Sequence, residues 1–163
     1  MKLPKSITRE EFPKLIKATP KRDKEALLAF LLAYGSGLRL SEITALQPLN
    51  VRQNDILILQ GKGGKDRVVP KPKGWKPWML AALPIKKSGR SLERNFKTAI
   101  KKAGLNPAYT FHSLRHGFAT HALQAGIPIN QVQLLLGHAD IGTTGIYLKA
   151  RPEEALANYE NLF

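Results

Sequence analysis

One short segment of this chain has the pattern of β-strands, and almost everything else is patterned for helices. Two segments rich in apolar residues, Asp-Ile-Leu-Ile-Leu-Gln at 55–60 and Arg-Val-Val-Pro at 67–70, lie on either side of the glycine-rich sequence Gly61-Lys-Gly-Gly-Lys-Asp66. This pattern predicts two antiparallel strands joined by a turn. We therefore expect a mainly α fold with a small antiparallel β-sheet.

Capping residues and glycines predict where the helices begin and end. Thr8 and Glu11 have the spacing of a capping box before a first helix that ends near Ala18. Ser41 is predicted to cap a short third helix over 41–46. The other predicted helices cover 23–34, 78–83, 91–103, 112–125, 129–136, 143–148 and 152–162, with Gly104, Gly126 and Gly137 as stops.

The charge of the chain favours a polyanionic partner. Its 163 residues suffice for one domain with its own core, and they carry 26 Lys and Arg against 12 Asp and Glu, a formal net charge of +14. Between Gln60 and Lys102, thirteen basic residues accompany two acidic ones. Charge this concentrated repels itself and is relieved by phosphates, which favours nucleic acid over a membrane surface.

Other properties of the sequence narrow the class of protein. The longest apolar stretch, residues 26–34, is too short to span a membrane, and the N-terminus has no signal-peptide pattern. The chain contains no cysteine, so it has neither disulfides nor a thiolate-based metal site. We expect a cytoplasmic, DNA-associated protein without a membrane segment.

Four separated motifs carry residue types suited to attack on a phosphodiester. They are Gly37-Leu-Arg39-Leu-Ser-Glu42, Gly61-Lys62-Gly-Gly-Lys65, His112-Ser-Leu-Arg115-His116, and Leu136-Gly-His138 followed nine positions later by Tyr147. Each motif alone is weak, but in this order they resemble the tyrosine recombinase family of phage integrases and Xer-like proteins. The resemblance extends from Gly37 to Tyr147 and implies the catalytic-domain fold of these DNA breaking and rejoining enzymes.

The two arginines are suited to hold a phosphate. In a helix, His112 and Arg115 are three residues apart and share a face, so both can point at one ligand oxygen. Arg39 is placed at the start of a helix, where backbone N–H groups add to its positive field. Two guanidiniums can fork onto the non-bridging oxygens of one phosphate, so we predict a phosphate clamp.

Tyr147 is the predicted nucleophile, and the resemblance implies a 3′-phosphotyrosyl intermediate. A tyrosine hydroxyl has a pKa near ~10, so forming phenolate at neutral pH costs about 4 kcal/mol unless the site helps. His112 is the candidate base and His138 a hydrogen-bond donor to the developing phosphorane oxygen. Lys62 is the preferred acid for the leaving 5′ oxygen, and Lys65 is the alternative.

The remaining histidines and tyrosines are less suited to catalysis. His116 and His121 lie further along the same predicted helix as His112 and are expected to be structural or to contact DNA. Only Tyr147 has the family's spacing to the Gly-His motif. No metal and no cofactor are expected in the reaction, because the resemblance implies that the phosphotyrosyl bond conserves the energy needed for rejoining.

Basic residues around the hairpin and the helices that follow are predicted to contact DNA phosphates. They are Lys65, Arg67, Lys71, Lys73, Lys86, Lys87, Arg90, Arg94 and Lys97.

The chain is interpreted as a single catalytic domain over 1–163, with a linker-like start at 1–8. Family members usually carry a second, N-terminal core-binding domain, which we expect to be absent.

Gly142 and Gly145 should loosen the segment that carries Tyr147. The last helix, within 152–163, has an apolar stripe that can pack on its own core or dock on a neighbouring subunit. We expect a homo-oligomer on double-stranded DNA and a monomer without it.

These observations predict a site-specific DNA recombinase or integrase. One alternative is relaxation of supercoiled DNA by a type IB topoisomerase-like activity with the same chemistry. The other is a non-catalytic DNA-binding fragment of an integrase. Retention of all six candidate catalytic residues argues against that second alternative.

Overall fold

The computed structural model describes residues 5–59, 66–137 and 152–160. The helices in these residues are α1 Glu11–Ala18, α2 Lys24–Gly35, α3 Leu40–Ala45, α4 Pro77–Ala81, α5 Gly89–Ala103, α6 His112–Gln124, α7 Ile129–Leu136 and α8 Pro152–Glu160. A short 3-10 helix covers Pro48–Asn50. Across these described ranges, no helix combines the length and apolar character needed to cross a membrane.

Two short strands form the only sheet in the described part of the chain. Strand β1, Ile56–Ile58, pairs antiparallel with strand β2, Arg67–Val69, with Leu57 opposite Val68. Both strands are shorter than predicted, but the pairing is as expected. The mainly α fold with a small antiparallel sheet is confirmed, while the predicted helix over 143–148 lies outside the described residues.

The first two helices begin where their caps predict. The Glu11 carboxylate accepts from the Thr8 backbone N–H at 3.0 Å, and the Thr8 hydroxyl accepts from the Glu11 N–H at 3.2 Å. The Asp23 carboxylate accepts from the Ala26 N–H at 3.1 Å at the start of α2. These bonds satisfy N–H groups that have no partner within the first turn of a helix.

The predicted N-cap of α3 is wrong by two residues. Arg39, and not Ser41, is the N-cap, because the Glu42 carboxylate accepts from the Arg39 backbone N–H at 2.8 Å. Helix α5 also begins earlier than expected, since the Ser88 hydroxyl accepts from the Ser91 N–H at 3.1 Å. Both differences place a basic side chain at the start of a helix, with Arg39 as the N-cap of α3 and Arg90 in the first turn of α5.

Helix α2 passes through the centre of the main core and is buried on most sides. Phe30 meets Phe96 of α5 at 5.8 Å and Phe111 at 6.0 Å between ring centroids, in tilted or edge-to-face geometry. Edge-to-face contacts suit aromatic rings because the positive ring edge meets the negative ring face. The start of α6, directly after Phe111, is thereby fixed against α2.

A second, smaller core joins α6, α7 and α8. Phe118 and Leu135 are fully buried in it, together with Ala155 of α8. The Asn158 side-chain amide also donates to the Gln131 side-chain oxygen at 2.7 Å. Helix α8 therefore packs against α7 of its own chain.

Gly37, at the turn between α2 and α3, cannot accept a side chain. Its φ is +71°, and an added Cβ would lie 2.7 Å from the Phe118 ring. We expect Gly37→Ala to lower the free energy of unfolding by about 3 kcal/mol, since the strained backbone and the clash act together.

Chemical denaturation of Gly104→Ala provides the matched control. Gly104 has a φ of +70° but no atom within 4 Å of an added Cβ, so only the backbone cost of roughly 1–2 kcal/mol applies. Equal losses in the two variants would contradict the contact between Gly37 and Phe118.

Candidate active site

Arg39 projects from the first turn of α3 because the turn before it is tightly defined. The positive φ of Gly37 reverses the chain, and the Leu38 N–H donates to the Leu32 carbonyl at 3.3 Å. The Glu42 carboxylate then fixes the Arg39 backbone. The Arg39 side chain remains 36% exposed, so its guanidinium is accessible to a ligand.

Arg115 enters the same region from α6 but is almost fully buried. One of its Nη groups donates to the Gly37 carbonyl at 3.1 Å, and the other donates to the Leu136 carbonyl at 2.9 Å. Burial, followed by the positive charges of Arg39 and Arg67, lowers the pKa of Arg115 to about 10. The group still carries its charge at neutral pH, in a setting where an added anion would be favourable.

Glu42 connects three arginines beneath this region. Arg67 donates to both carboxylate oxygens, from Nη1 at 2.6 Å and from Nη2 at 2.9 Å. Nη1 of Arg39 lies 3.5 Å from Oε2, and Nη1 of Arg115 lies 3.8 Å from Oε1. The Arg67 side chain is 7% exposed and the Glu42 side chain 10%, so the bidentate pair is buried.

A cavity of about 680 Å³ lies beside two of these arginines. Arg39, His112 and Arg115 line it, and His112 is exposed at the first residue of α6. The His112 and His116 rings lie 6.1 Å apart. Loss of hydration, together with the nearby His112 and Arg115, lowers the pKa of His116, so this ring is mainly neutral at pH 7.

The charges that line the cavity suit an anionic ligand, because Arg39, Lys97 and Arg115 outnumber the one acidic lining residue, Glu93. Three guanidiniums share one carboxylate, so this cluster carries an excess of positive charge. Arginine forks suit phosphate because they donate two parallel hydrogen bonds. The cavity is therefore suited to a phosphate group held by Arg39 and Arg115, with an imidazole at its rim.

Three of the six predicted catalytic residues meet at this cavity. Arg39 lies more than seventy positions before His112 and Arg115 in the sequence, yet all three line the same cavity. Lys62, His138 and Tyr147 lie outside the described residues, as does Lys65, so their roles stay predictions.

The predicted DNA-contacting residues divide into two groups. Lys73, Lys86, Arg90 and Arg94 are exposed, as a phosphate contact requires. The ammonium groups of the other three lysines bond within the chain, although Lys97 is also exposed. Lys71 donates to the Gln53 carbonyl, Lys87 to Asp23 and Asn95, and Lys97 to the Pro107 and Tyr109 carbonyls.

The prediction that Arg67 contacts DNA is wrong. Its guanidinium is buried, it pairs with Glu42, and its Nε donates to the Leu135 carbonyl at 2.7 Å. All three guanidinium nitrogens donate hydrogen bonds inside the protein, so Arg67 cannot reach a DNA phosphate without breaking these bonds.

The sequence predictions omit Glu42 and the buried pair that it forms with Arg67. The position of Glu42, three residues after Arg39, matches the spacing of a capping box, so its contact with the Arg39 backbone could have been found. No local pattern indicates the bond to Arg67, which is 25 residues further along the chain.

The fold is that of a tyrosine recombinase catalytic domain. The catalytic core of lambda integrase aligns with 83% of this chain and 92% of that core, with a TM-score of 0.65 at 22% identity. A crystal structure of XerA recombinase aligns with 99% of this chain and 65% of that protein, with a TM-score of 0.72 at 26% identity.

The chain belongs to the phage integrase family, whose model matches residues 5–83 and 82–154. Tyrosine recombinase XerA of Thermococcus onnurineus is 39% identical over 171 residues, which cover 93% of this chain and 60% of that protein. Tyrosine recombinase XerC of Chlamydia trachomatis is 36% identical over 172 residues, covering 89% of this chain and 54% of that protein. This chain thus spans a little over half the length of these relatives.

Proposed function

We propose that this chain cleaves one strand of double-stranded DNA and rejoins it. The Tyr147 hydroxyl oxygen forms a bond to the scissile phosphorus, and the bond from phosphorus to the 5′ oxygen breaks. The product is a 3′-phosphotyrosyl enzyme and a free 5′ hydroxyl. Rejoining reverses these steps, because the phosphotyrosyl bond conserves the energy of the original phosphodiester.

The observation that carries this proposal is the meeting of Arg39 and Arg115 at one cavity with His112. The two guanidiniums bind the non-bridging oxygens and stabilise the charge that develops on the phosphorane. Preorganised donors of this kind act most strongly where water is excluded, and Arg115 is buried.

Proton transfer is assigned to residues around the clamp. His112 takes the proton of Tyr147, and His138 donates a hydrogen bond to a phosphorane oxygen. Lys62 gives a proton to the leaving 5′ oxygen, with Lys65 as the alternative donor. Each role suits the chemistry of the side chain, since imidazole titrates near neutral pH and an ammonium on a long stem can reach the leaving group.

Site-specific recombination is the biological reaction that we propose. Relatives named tyrosine recombinase XerA and XerC support it, as does the fold shared with XerH site-specific recombinase bound to its difH substrate. Lambda integrase, which shares the fold, occurs as a tetramer bound to a Holliday junction. By analogy, this chain acts as one catalytic domain in the cytoplasm. Without DNA it is a monomer with α8 packed on its own α7, and on DNA it assembles when this C-terminal helix docks on a neighbouring subunit instead.

A nicked duplex tests the proposed chemistry directly. The nick lies a few nucleotides 3′ of the cleavage position, so that the short fragment with the 5′ hydroxyl diffuses away and rejoining stops. A pool with randomised sequence upstream of the nick removes the need to know the target. We expect a covalent adduct that survives denaturant, with phosphotyrosine mapped to Tyr147 by mass spectrometry.

Intact duplexes serve as the control, because rejoining keeps their adduct scarce. Binding of the whole pool with no adduct from any member would contradict the proposal. Phosphate attached to a residue other than Tyr147 would contradict the choice of nucleophile.

A further inference from the structure

Arg67 is buried, so it does not belong to the basic surface that could contact DNA. It is the first residue of β2, five positions after Lys62. Its guanidinium bonds to Glu42 on α3 and to the Leu135 carbonyl in the last turn of α7. The Arg67 side chain therefore links the hairpin, the helix that begins at Arg39, and the helix that ends just before His138.

Gly137 allows this link to form. Its φ is +73°, and an added Cβ would lie 2.9 Å from Cδ of Arg67. The end of α7 thus passes directly over the Arg67 stem. The last-turn carbonyls carry the partial negative charge of a helix C-terminus, which stabilises the two guanidiniums of Arg67 and Arg115 that bind there.

The Glu42 carboxylate has other cations within reach. Arg39 lies 3.5 Å from one oxygen and Arg115 lies 3.8 Å from the other, while Arg67 bonds to both at 2.6 and 2.9 Å. Without Arg67, the buried carboxylate would retain its charge by pairing more closely with Arg39 or Arg115. Either change would draw a guanidinium away from the cavity.

We propose that Arg67 is a positioning residue that holds the Glu42 carboxylate, so that Arg39 and Arg115 stay available to the scissile phosphate. This inference rests on the proposed function of the site. Arg67 touches no reacting atom. It acts through Glu42, so its effect falls on the scissile phosphate and the rate of cleavage, and not on the salt-dependent contacts to the rest of the DNA backbone.

Arg67→Met and the double variant Arg67→Met/Glu42→Gln test the inference. Methionine keeps the apolar stem without the guanidinium. The Glu42→Gln substitution keeps an oxygen for the Arg39 N–H while removing the negative charge. We expect Arg67→Met to lower the single-turnover rate on saturating nicked duplex by about 10²-fold, as when reacting groups are misplaced. The double variant should regain roughly tenfold, because the two residues are coupled.

Ser36→Ala is the control for loss of structure alone. The buried Ser36 hydroxyl donates to the Pro70 carbonyl at 2.6 Å, next to the same strand, without touching Glu42. This variant should melt at a lower temperature and cleave at the wild-type rate below its melting point. Recovery of the rate on removing the Glu42 charge is a result that a purely structural role of Arg67 would not produce.

Sulfate binding gives a readout that does not require cleavage. Titration followed through the Arg115 Nε–H resonance should show binding in wild type, weakened binding in Arg67→Met, and recovery in the double variant. If wild type binds sulfate and this pattern holds while no adduct forms, the inference stands and the proposed function fails.

Two results would overturn the inference. One is an Arg67→Met variant that cleaves and binds sulfate like wild type. The other is weaker binding of DNA with a salt dependence reduced by about one phosphate contact, which is the behaviour of a residue that touches the DNA backbone.

Discussion

Tyr147→Phe should abolish the covalent adduct on nicked DNA and leave binding of the duplex unchanged. Phenylalanine keeps the ring and removes only the oxygen that would bond to phosphorus. Another tyrosine cannot easily substitute for it, since phenolate formation from an ordinary tyrosine at neutral pH costs about 4 kcal/mol. A nucleophile must therefore lie near cations, as Tyr147 would if it approaches the Arg39 and Arg115 guanidiniums.

Two described tyrosines are poor nucleophiles and provide matched controls. The Tyr109 hydroxyl donates to the Glu11 carboxylate at 2.7 Å, and burial, with help from that carboxylate, raises the pKa of Tyr109 to about 12. Burial also raises the pKa of Tyr34. Both shifts favour the neutral phenol, so neither tyrosine forms phenolate readily.

The comparison is made by denaturing electrophoresis after incubation with the randomised nicked pool. Tyr109→Phe and Tyr34→Phe should form the adduct at the wild-type rate. An adduct that persists in Tyr147→Phe, or that is lost in Tyr109→Phe at a temperature where the variant is folded, would disprove the assignment of the nucleophile.

The sequence predicted the fold well where local interactions determine it. The capping box at Thr8 and the positive-φ glycine after α7 depend on residues a few positions apart, and both are confirmed. The start of α3 was misplaced because two nearby residues could serve as N-cap. A serine hydroxyl at 41 was the conventional choice, but the Glu42 carboxylate at the third helical position fixed Arg39 instead.

The site was predictable as a set of residues but not as a network. Spacing indicated that His112 and Arg115 share a helical face, and the structure places both at the cavity with Arg39. Arg67 was misread because it lies in the most basic part of the sequence, where exposure is the usual state of an arginine. Its burial depends on Glu42, a residue distant in sequence and adjacent only after folding.

This network explains how a buried arginine can serve an anion site. Three guanidiniums close together would repel one another, and one carboxylate relieves part of that repulsion. Arg67 forms the short bidentate contacts with the Glu42 carboxylate. The guanidiniums of Arg39 and Arg115 therefore lie further from the carboxylate oxygens. A bound phosphate, as we propose, would supply further negative charge and stabilise the cluster.

Arg115→Lys should lower the single-turnover cleavage rate by about 10²–10³-fold, the loss typical of removing one preorganised donor from a transition state. Lysine keeps a positive charge, but one ammonium cannot donate to the Gly37 and Leu136 carbonyls and also fork onto a phosphate. The pKa of Arg115, about 10, keeps the wild-type group charged throughout the neutral range, so wild type should not lose activity through loss of this charge between pH about 6 and 8. Burial also lowers the pKa of a lysine, so the deficit of Arg115→Lys should grow as the pH rises.

Arg52→Lys is the matched substitution away from the cavity. Arg52 also forms a bidentate pair, with Asp55, at 2.5 and 2.8 Å, but its side chain is 49% exposed. Exposed pairs contribute little, so this variant should cleave and unfold like wild type. If Arg115→Lys cleaved as fast as Arg52→Lys while remaining folded, charge alone would suffice at position 115. The buried fork between the Gly37 and Leu136 carbonyls would then serve the fold and not the phosphate.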